Sequence, residues 1–491
     1  MKQLHIIPRF IGGGPERALL AFIERDKRLG RDWQHDVIVL EAPVTPRLFL
    51  QARRLGVTLA IRPAQDALLR AVEAADLVLL HYWNHPALTA LLREVALPPS
   101  RLLLWAHVLG TRAPQVLFAD LGRFADRLVL TSEASFASAA ANCAAALGRS
   151  VDHVLSVIDP ARLAGFAPRP HDGICVGYLG LVNAGKMHPR FAELCLATRT
   201  PGLRFVVCGG GGGEQALRDR FAALGAAARV EIRGHVEDVA AALAGFDIFG
   251  YPLAEDSYAT SELALQEAMW VGLPPVIFAH GGVGQLVRHE LTGLVAEDEA
   301  GYAAALDRLA GDAALRRRLG GEARRFARSA FDPARWSQVL DRILGELMAS
   351  PRRLREPLPG AGQGAAAGFV RTLGEQAGPF AVSLAGSPLH SPAAVAAADR
   401  EIAAASPLLA RGEGGIVHYR NANPEDPYLR YWSALVSAAA GSMSLAENEF
   451  SAASALGLPP GRSLRPAPPP APPPSNPELA PTMPQSAADK P

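Results

Sequence analysis

The sequence predicts an α/β protein in which two doubly wound domains face each other across a cleft, followed by a C-terminal helical hairpin and a proline-rich tail. Three observations carry this reading. Short apolar runs alternate with longer amphipathic stretches, which is the rhythm of repeated βα units. The rhythm halts at Ala167 to Gly173 (APRPHDG), which has two prolines and no periodicity, and then restarts. From about Arg352 the composition turns to Ala, Gly, Pro and Ser, and clear helical periodicity returns only near Asp426.

The first domain is expected over residues 1–168. Its apolar runs at Leu4 to Pro8, His35 to Leu40 and Leu77 to His81 are followed by amphipathic stretches at Glu16 to Leu29, Thr45 to Leu55 and Pro86 to Glu94. Runs at Leu102 to His107, Arg127 to Thr131 and His153 to Val157 complete it. The second domain, residues 172–333, repeats the pattern with strands expected at Gly173 to Leu179, Leu203 to Cys208, Val230 to Arg233, Ile248 to Tyr251 and Pro275 to Phe278. Residues 334–349 read as one more helix. Residues 350–395 cannot bury enough apolar surface to offset their ordering entropy and are expected to be a flexible linker. Within residues 396–460, Tyr431, Trp432 and Leu435 precede a turn at Gly441, and Ala446 and Phe450 follow it, which predicts a helical hairpin. Its Ala-x-x-x-Phe step, with Pro459 beyond, looks like a single tetratricopeptide repeat, and an ordinary hairpin is the alternative. Residues 461–491, opening RSLRPAPPPAPPP, are polyproline-like and expected to be disordered.

The totals exclude several classes. With 491 residues, 49% of them hydrophobic, the chain can bury a substantial core. Lys and Arg number 49 against 48 for Asp and Glu, so no overall field draws it to nucleic acid. Cys143, Cys175, Cys195 and Cys208 never fall in a Cys-x-x-Cys spacing and read as buried thiols. The N-terminus lacks the apolar core of a signal peptide and no run of 18 apolar residues occurs, so a cytoplasmic location is expected. The arginines at 316, 317, 318, 324, 325 and 328 form a basic helix, a solvated face by default and a site of weak contact with anionic lipid if the acceptor is lipid-linked.

Two stretches carry the chemistry. Gly12-Gly13-Gly14-Pro15-Glu16-Arg17 lies between the first strand and the first helix, where glycine lets the backbone turn and free N–H groups at a helix start favour anions. Read as a nicotinamide-dinucleotide fingerprint it fails at its third glycine, which is Arg17, although Asp36 stands at a suitable distance. The second stretch, Gly250 to Val295, passes from a strand end at Tyr251 through a polar loop into a helix expected from about Ser261 to Val271, capped by Thr260 or Ser261. Glu262 and Glu267 would lie in its first two turns, and a carboxylate there can accept from both hydroxyls of a ribose diol.

These residues resemble the family-4 retaining GT-B glycosyltransferases, in which a Glu, seven residues and a second Glu precede Ala-Met and Gly-x-Pro. Glu267-Ala268-Met269 and Gly272-Leu273-Pro274 match, whereas the family's first Glu falls on Ala259. The likeness is greatest to a branch with tetratricopeptide repeats, whose Thr-Thr-Glu-Asn loop is similar to Thr260-Ser261-Glu262-Leu263. Gly180 to Lys186 (GLVNAGK) resembles the family's phosphate segment, with Lys186 retained and Leu181 in place of an Arg. Gly12 to Arg17 resembles its acceptor-side Gly-Gly-Ala-Glu-Arg element, Trp105-Ala106-His107 its strand-end His, and Ser156 to Phe166 its segment before the hinge. The resemblance spans about Met1 to Met348 and implies two Rossmann-like domains with a last helix, from Pro333, returning to the first.

It further implies a nucleotide-sugar donor as co-substrate, no cofactor, and a glycan or lipid-linked acceptor. Lys186, His107 and Glu262 are the expected catalytic residues. Donor binding is expected at Gly13, Gly14, Gly180, Lys186, Gly209, His235, Thr260, Ser261, Glu262 and Glu267, and the acceptor side at Glu16, Arg17, His81, Trp83 and Asn84. No Asp-x-Asp occurs, so no metal is expected; His81 and His85 are spaced i, i+4 but lack a third ligand. Two rivals stay open: a nucleotide-sugar-binding scaffold without turnover, its hairpin serving a protein partner, and a GT-B epimerase. A phosphorylase would need a pyridoxal-phosphate lysine, and the chain has four lysines.

Overall fold

The structure, a computed structural model, describes residues 1–360, 362–384, 391–459 and 462–464. Two fully parallel sheets form two lobes. The first runs Ser150–His153, Arg127–Leu130, Leu102–Ala106, Leu77–Tyr82, Lys2–Ile7, Gln34–Val39, Thr58–Ile61. The second runs Val230–Gly234, Arg204–Cys208, Cys175–Leu179, Ile248–Tyr251, Pro275–Phe278, Leu294–Ala296. Their central strands are buried along their length, which is why they read as unbroken apolar runs. Strand order reverses between Lys2–Ile7 and Leu77–Tyr82 in one lobe, and between Cys175–Leu179 and Ile248–Tyr251 in the other. Crevices open at such reversals, beyond the carboxyl ends of the strands.

Local chemistry explains the first helix, Gly14–Arg28. Pro15 and Glu16 suit its first turn, Arg25, Lys27 and Arg28 its last, and Leu19, Phe22, Ile23 and Asp26 form its buried stripe. Three strands depart from expectation. Thr58–Ile61 is a half-exposed edge strand without an apolar run, and Leu294–Ala296 is too short to show one. The last strand of the first lobe is Ser150–His153, because Val154 to Val157 leaves the sheet to cross between the lobes.

Helix Pro333–Met348 places Leu340, Ile343, Leu344 and Leu347 in the core of the first lobe. Arg25 and Arg31 donate to its Asp341 at 2.8 and 2.6 Å.

The largest correction concerns residues 350–395. In place of a flexible linker, Arg353–Arg355 pairs antiparallel with Leu97–Ser100, and helices Gly364–Thr372 and Gly378–Leu384 follow. Arg355 is buried against Ser100, the Phe124 carbonyl and Asp126. Phe369 and Phe380 then pack on Trp432, so the hairpin Pro427–Ala439 and Met443–Ala455 shares a core with the segment that precedes it. A single helix pair could not have buried Trp432 and Tyr431 by itself. The low apolar content of 350–395 hid this because a few large rings do the packing. Of the expected disordered tail, residues 462–464 are described, and Arg462 binds Asp399 at 2.9 Å; residues 461 and 465–491 lie outside the described residues.

Candidate functional site

The loops that leave the strand-order reversal of the second lobe bring Lys186 and Glu262 together. Lys186 follows Cys175–Leu179, Glu262 follows Ile248–Tyr251, and their side chains meet at 2.6 Å. Tyr251, at the end of its strand, donates its hydroxyl to the same Glu262 oxygen at 2.5 Å, and Lys186 Nζ lies 6.0 Å from the Tyr251 ring centre. Burial and the negative charge of Glu262 hold the Tyr251 phenol well above its ordinary pKa, so it acts as a neutral donor. Neither Tyr251 nor Tyr178, which stacks on it at 5.4 Å, was singled out in the sequence, where both pass for core aromatics.

Helix Leu263–Val271 begins two residues later than expected, and neither Thr260 nor Ser261 caps it. Glu262 occupies the cap position with a left-handed backbone, φ +37°, a conformation costly for a residue with a side chain. This turn points Glu262 back toward Lys186 and frees the hydroxyls before it for another task. Thr260 accepts from Thr131 at 3.1 Å, and Ser261 accepts from the Ser156 amide at 3.0 Å while donating to the Thr131 carbonyl. Both partners belong to the first lobe or the crossover, so these buried hydroxyls stitch the lobes together.

Glu267, one turn into the helix, is 2% exposed and accepts from Arg162 at 2.7 Å. Burial raises its pKa, opposed by the positive charges of Arg162 and Arg17. Arg17, exposed at the start of the first lobe's helix, adds its positive charge to the surroundings of Glu267. Arg162 had no sequence signal: an arginine in a loop is ordinary, and only the crossover places it here.

The glycines divide into two kinds. Gly209 has φ +144° and any Cβ there would fall 1.8 Å from the Gly180 carbonyl, so the loops after the first two strands of the second lobe interlock through glycine. Gly180, at φ +158°, completes that contact. Gly13 is the cap residue of the first helix, with Glu16 Oε2 2.8 Å from where a Cβ would sit, whereas Gly14 has open space around it. His235 is exposed past the end of Val230–Gly234 and has no bond to the other residues of the set.

On the first lobe four acceptor-side expectations are corrected. His81 is completely buried beneath the cleft, its Nδ1 2.9 Å from His107 Nε2, and burial drops its pKa to about 3. Glu16 is 1% exposed and accepts from the Ile11 amide at 3.3 Å, holding the glycine loop. Trp83 and Asn84 are covered by the C-terminal helices: Trp83 donates to Glu413 at 2.6 Å, and Tyr419 donates to Asn84 at 2.6 Å. Glu413 also accepts from Arg9 at 2.6 Å, and Leu408 lies 2.8 Å from where a Cβ on Gly185 would be. The C-terminal unit therefore touches both lobes beside the cleft, a placement that no local pattern encodes. His107 is half-buried, and its neighbour Leu109 donates to the Tyr258 carbonyl of the second lobe at 3.1 Å, which puts this loop on the cleft.

Glu41, His85 and His418 gather their ligand atoms within 4.8 Å. His85 Nδ1 accepts from the Ala87 amide and His418 Nδ1 from the Gly414 amide. Each neutral ring then carries its proton on Nε2 and offers Glu41 a donor, the wrong polarity for a metal ion. A cavity of 370 Å³ behind the crossover, lined by Ala18, Phe22, Trp105, Pro160 and Trp336 among others, holds none of Lys186, Glu262 and Glu267. Its apolar lining does not suit a diphosphate. No helix among the described residues is long and apolar enough to cross a membrane.

Residues 175–312 match the family model "Glycosyl transferases group 1". That match falls on the second lobe, where Lys186, Glu262 and Glu267 reside. D-inositol 3-phosphate glycosyltransferase of Stackebrandtia nassauensis is 31% identical over 196 residues, 36% of this chain, and the chain spans 42% of that relative. Among solved structures, Anabaena Alr3699/HepE in complex with UDP and glucose superposes with TM-score 0.56 at 18% identity, over 70% of this chain and all of that one. A glycosyltransferase from Rickettsia africae gives TM-score 0.57 at 12% identity, over 71% and 99%. Sucrose-phosphate synthase of Thermosynechococcus elongatus gives 0.53 at 16%, over 71% and 99%. The two lobes have the GT-B architecture, and the C-terminal helices are an addition to it.

Proposed function

We propose that this chain transfers a sugar from a nucleoside-diphosphate donor to a glycan or lipid-linked acceptor, with retention at the anomeric carbon and without a metal ion. The carrying observation is the meeting of Lys186 with Glu262 at the strand-order reversal, beside Glu267. Negative charge grows on the leaving diphosphate as the anomeric bond breaks, and Lys186 supplies a cation there with N–H groups to spare. Glu267, with one oxygen on Arg162, has its second oxygen for a ribose hydroxyl. The reading draws support from the group 1 family match over this lobe and from HepE having been solved with UDP and glucose.

The acceptor enters on the first-lobe side, near Arg17, His107 and the C-terminal unit. We infer that the basic helix contributes at most weak contact with a lipid surface: Arg316 is spent on the carbonyls of Leu309 and Ala310, Arg318 on Glu290, and Arg325 on Glu322. The hairpin keeps its tetratricopeptide-like reading as a place for a protein partner.

A scaffold without turnover is the second reading, favoured by Leu181, an apolar side chain 47% exposed in the phosphate segment. Purified protein incubated with UDP-, GDP- and ADP-sugars decides. Release of nucleoside diphosphate supports the enzyme; a thermal shift without release supports the scaffold; neither response rejects both.

A further inference from the structure

Beneath the cleft a row of four histidines crosses the first lobe and ends at His107. Parallel register puts them on one face of the sheet. Gln3 pairs with His35 and His5 with Val37, so His5 and His35 point the same way; His5 pairs with Leu79, two residues before His81; His81 pairs with Trp105, two residues before His107. The ring nitrogens then meet in sequence. His35 Nδ1 is 3.1 Å from His5 Nε2, His5 Nδ1 is 3.2 Å from His81 Nε2, and His81 Nδ1 is 2.9 Å from His107 Nε2. Along these three steps the ring centres are 5.4, 5.5 and 5.2 Å apart, with planes within 25°, 32° and 10° of each other. That spacing exceeds face-to-face contact and fits head-to-tail N–H···N bonds.

The far end of the row is Asp26. Its Oδ2 and His35 Nε2, both buried, lie 3.4 Å apart, a contact outside hydrogen-bond geometry, and neither makes a hydrogen bond to any other group among the described residues. Its Oδ1 accepts from Arg25 at 2.9 Å and Arg31 at 3.1 Å. Asp26 is on the buried stripe of helix Gly14–Arg28, which lays it against the sheet.

We propose that Asp26, through His35, His5 and His81, fixes the tautomer of His107 so that its Nδ1 faces the cleft as a hydrogen-bond acceptor for a sugar hydroxyl. The polarity follows step by step. A carboxylate only accepts, so His35 directs an Nε2–H at it, leaving His35 Nδ1 as an acceptor. His5 must answer with Nε2–H, His81 likewise, and His107 likewise. Each neutral ring has one proton to spend, so His107 Nδ1 is left bare; it makes no hydrogen bond among the described residues. Burial keeps His5, His81 and His107 neutral, consistent with a relay of hydrogen-bond polarity in place of net charge. Bonds in such a row polarise one another, so the bias of the carboxylate reaches the cleft. Asp26, His35, His5 and His81 are positioning residues; none touches the substrate.

The direct test is the tautomeric state of ¹⁵N-histidine-labelled full-length protein at neutral pH, read from long-range ¹H–¹⁵N correlations. All four rings should be Nε2–H, with His107 Nδ1 unprotonated. Any of the four found as Nδ1–H or doubly protonated overturns the proposal. In Asp26→Asn the amide oxygen stays with Arg25 and Arg31 and the amide N–H faces His35. The row should then invert and His107 should appear as Nδ1–H; an unchanged spectrum also overturns it. The ligand assignment rests on the sugar-transfer reading. There, Asp26→Asn should lower kcat/KM by at least about tenfold, the worth of one well-placed hydrogen bond, and should add nothing in a His107→Ala background. Additive losses would count against it. If no nucleotide-sugar is turned over, the functional reading falls while the spectra still decide the relay.

Discussion

Arg162, on the crossover between the lobes, donates to the buried carboxylate of Glu267 at 2.7 Å, so the segment that joins the lobes also holds a central side chain of the cleft. Removing the cation leaves a buried carboxylate without its partner. Arg162→Ala should cost on the order of 1–3 kcal/mol, less than a fully buried pair would lose, because the Arg162 side chain keeps 34% exposure. Urea midpoints check this. The Arg162→Ala, Glu267→Gln double variant should recover part of the loss, and Glu267→Gln alone should weaken nucleotide-sugar binding. Unchanged donor affinity in that variant rejects Glu267 as the ribose ligand.

Lys186→Ala should cost on the order of 2–4 kcal/mol of transition-state stabilisation, the worth of one preorganised donor to a developing anion. At saturating donor the rate should fall between about 30-fold and 10³-fold. Full turnover in this variant would remove Lys186 from the mechanism.

Stability should rise with pH between about 5 and 6.5. His81 is fully buried, its pKa taken from 6.5 to about 3 by burial, and His5 and His107 are lowered too. A folded pKa below the unfolded one means the folded chain binds fewer protons. The contribution is whole above pH 6.5 and is lost as pH falls toward the folded value, by about 1.4 kcal/mol per pH unit per ring. Glu16 and Glu267, raised by burial above 4.5, act oppositely: their stability is present below 4.5 and is lost as pH rises through the raised values. His153, His188 and His418 are lowered by burial as well, so six rings against two carboxyls leave the histidine trend in front. Urea titrations at pH 5, 6 and 7 should show it, with a shallower slope in His81→Phe.

Gly209→Ala should prevent the second lobe from folding normally, since its Cβ would fall 1.8 Å from the Gly180 carbonyl at φ +144°. Gly14→Ala meets open space and should leave stability within about 0.5 kcal/mol. Any effect of Gly14→Ala belongs to a ligand, read by donor titration.

Phe369→Ala tests whether residues 350–384 are integral. Phe369 is fully buried against Phe380, Tyr419 and Trp432, so its loss should cost on the order of 3–5 kcal/mol. Limited proteolysis should then cut first between the first-lobe core and the hairpin. An unaltered digestion pattern would mean that the segment tethers without packing.

Some of this was present in the chain's own pattern. Buried parallel strands demand continuous apolar runs, and apolar runs are visible one residue at a time, so both lobes and the break between them could be read directly. Glu262 and Glu267 could be named from an expected helix start and Lys186 from a family resemblance, and the fold brings Lys186 and Glu262 into contact. Contacts between distant segments have none. Arg162 reaches Glu267 only because the crossover folds under the second lobe; Ser261 leaves its helix and binds the first lobe; Trp83 and Asn84 disappear under helices whose few large rings looked like linker. The histidine row is the plainest case. His5 and His35 are unremarkable in sequence, His81 and His107 stand out there only as separate candidates, and parallel register, which a sequence does not display, aligns the four into a single hydrogen-bonded line ending at the cleft.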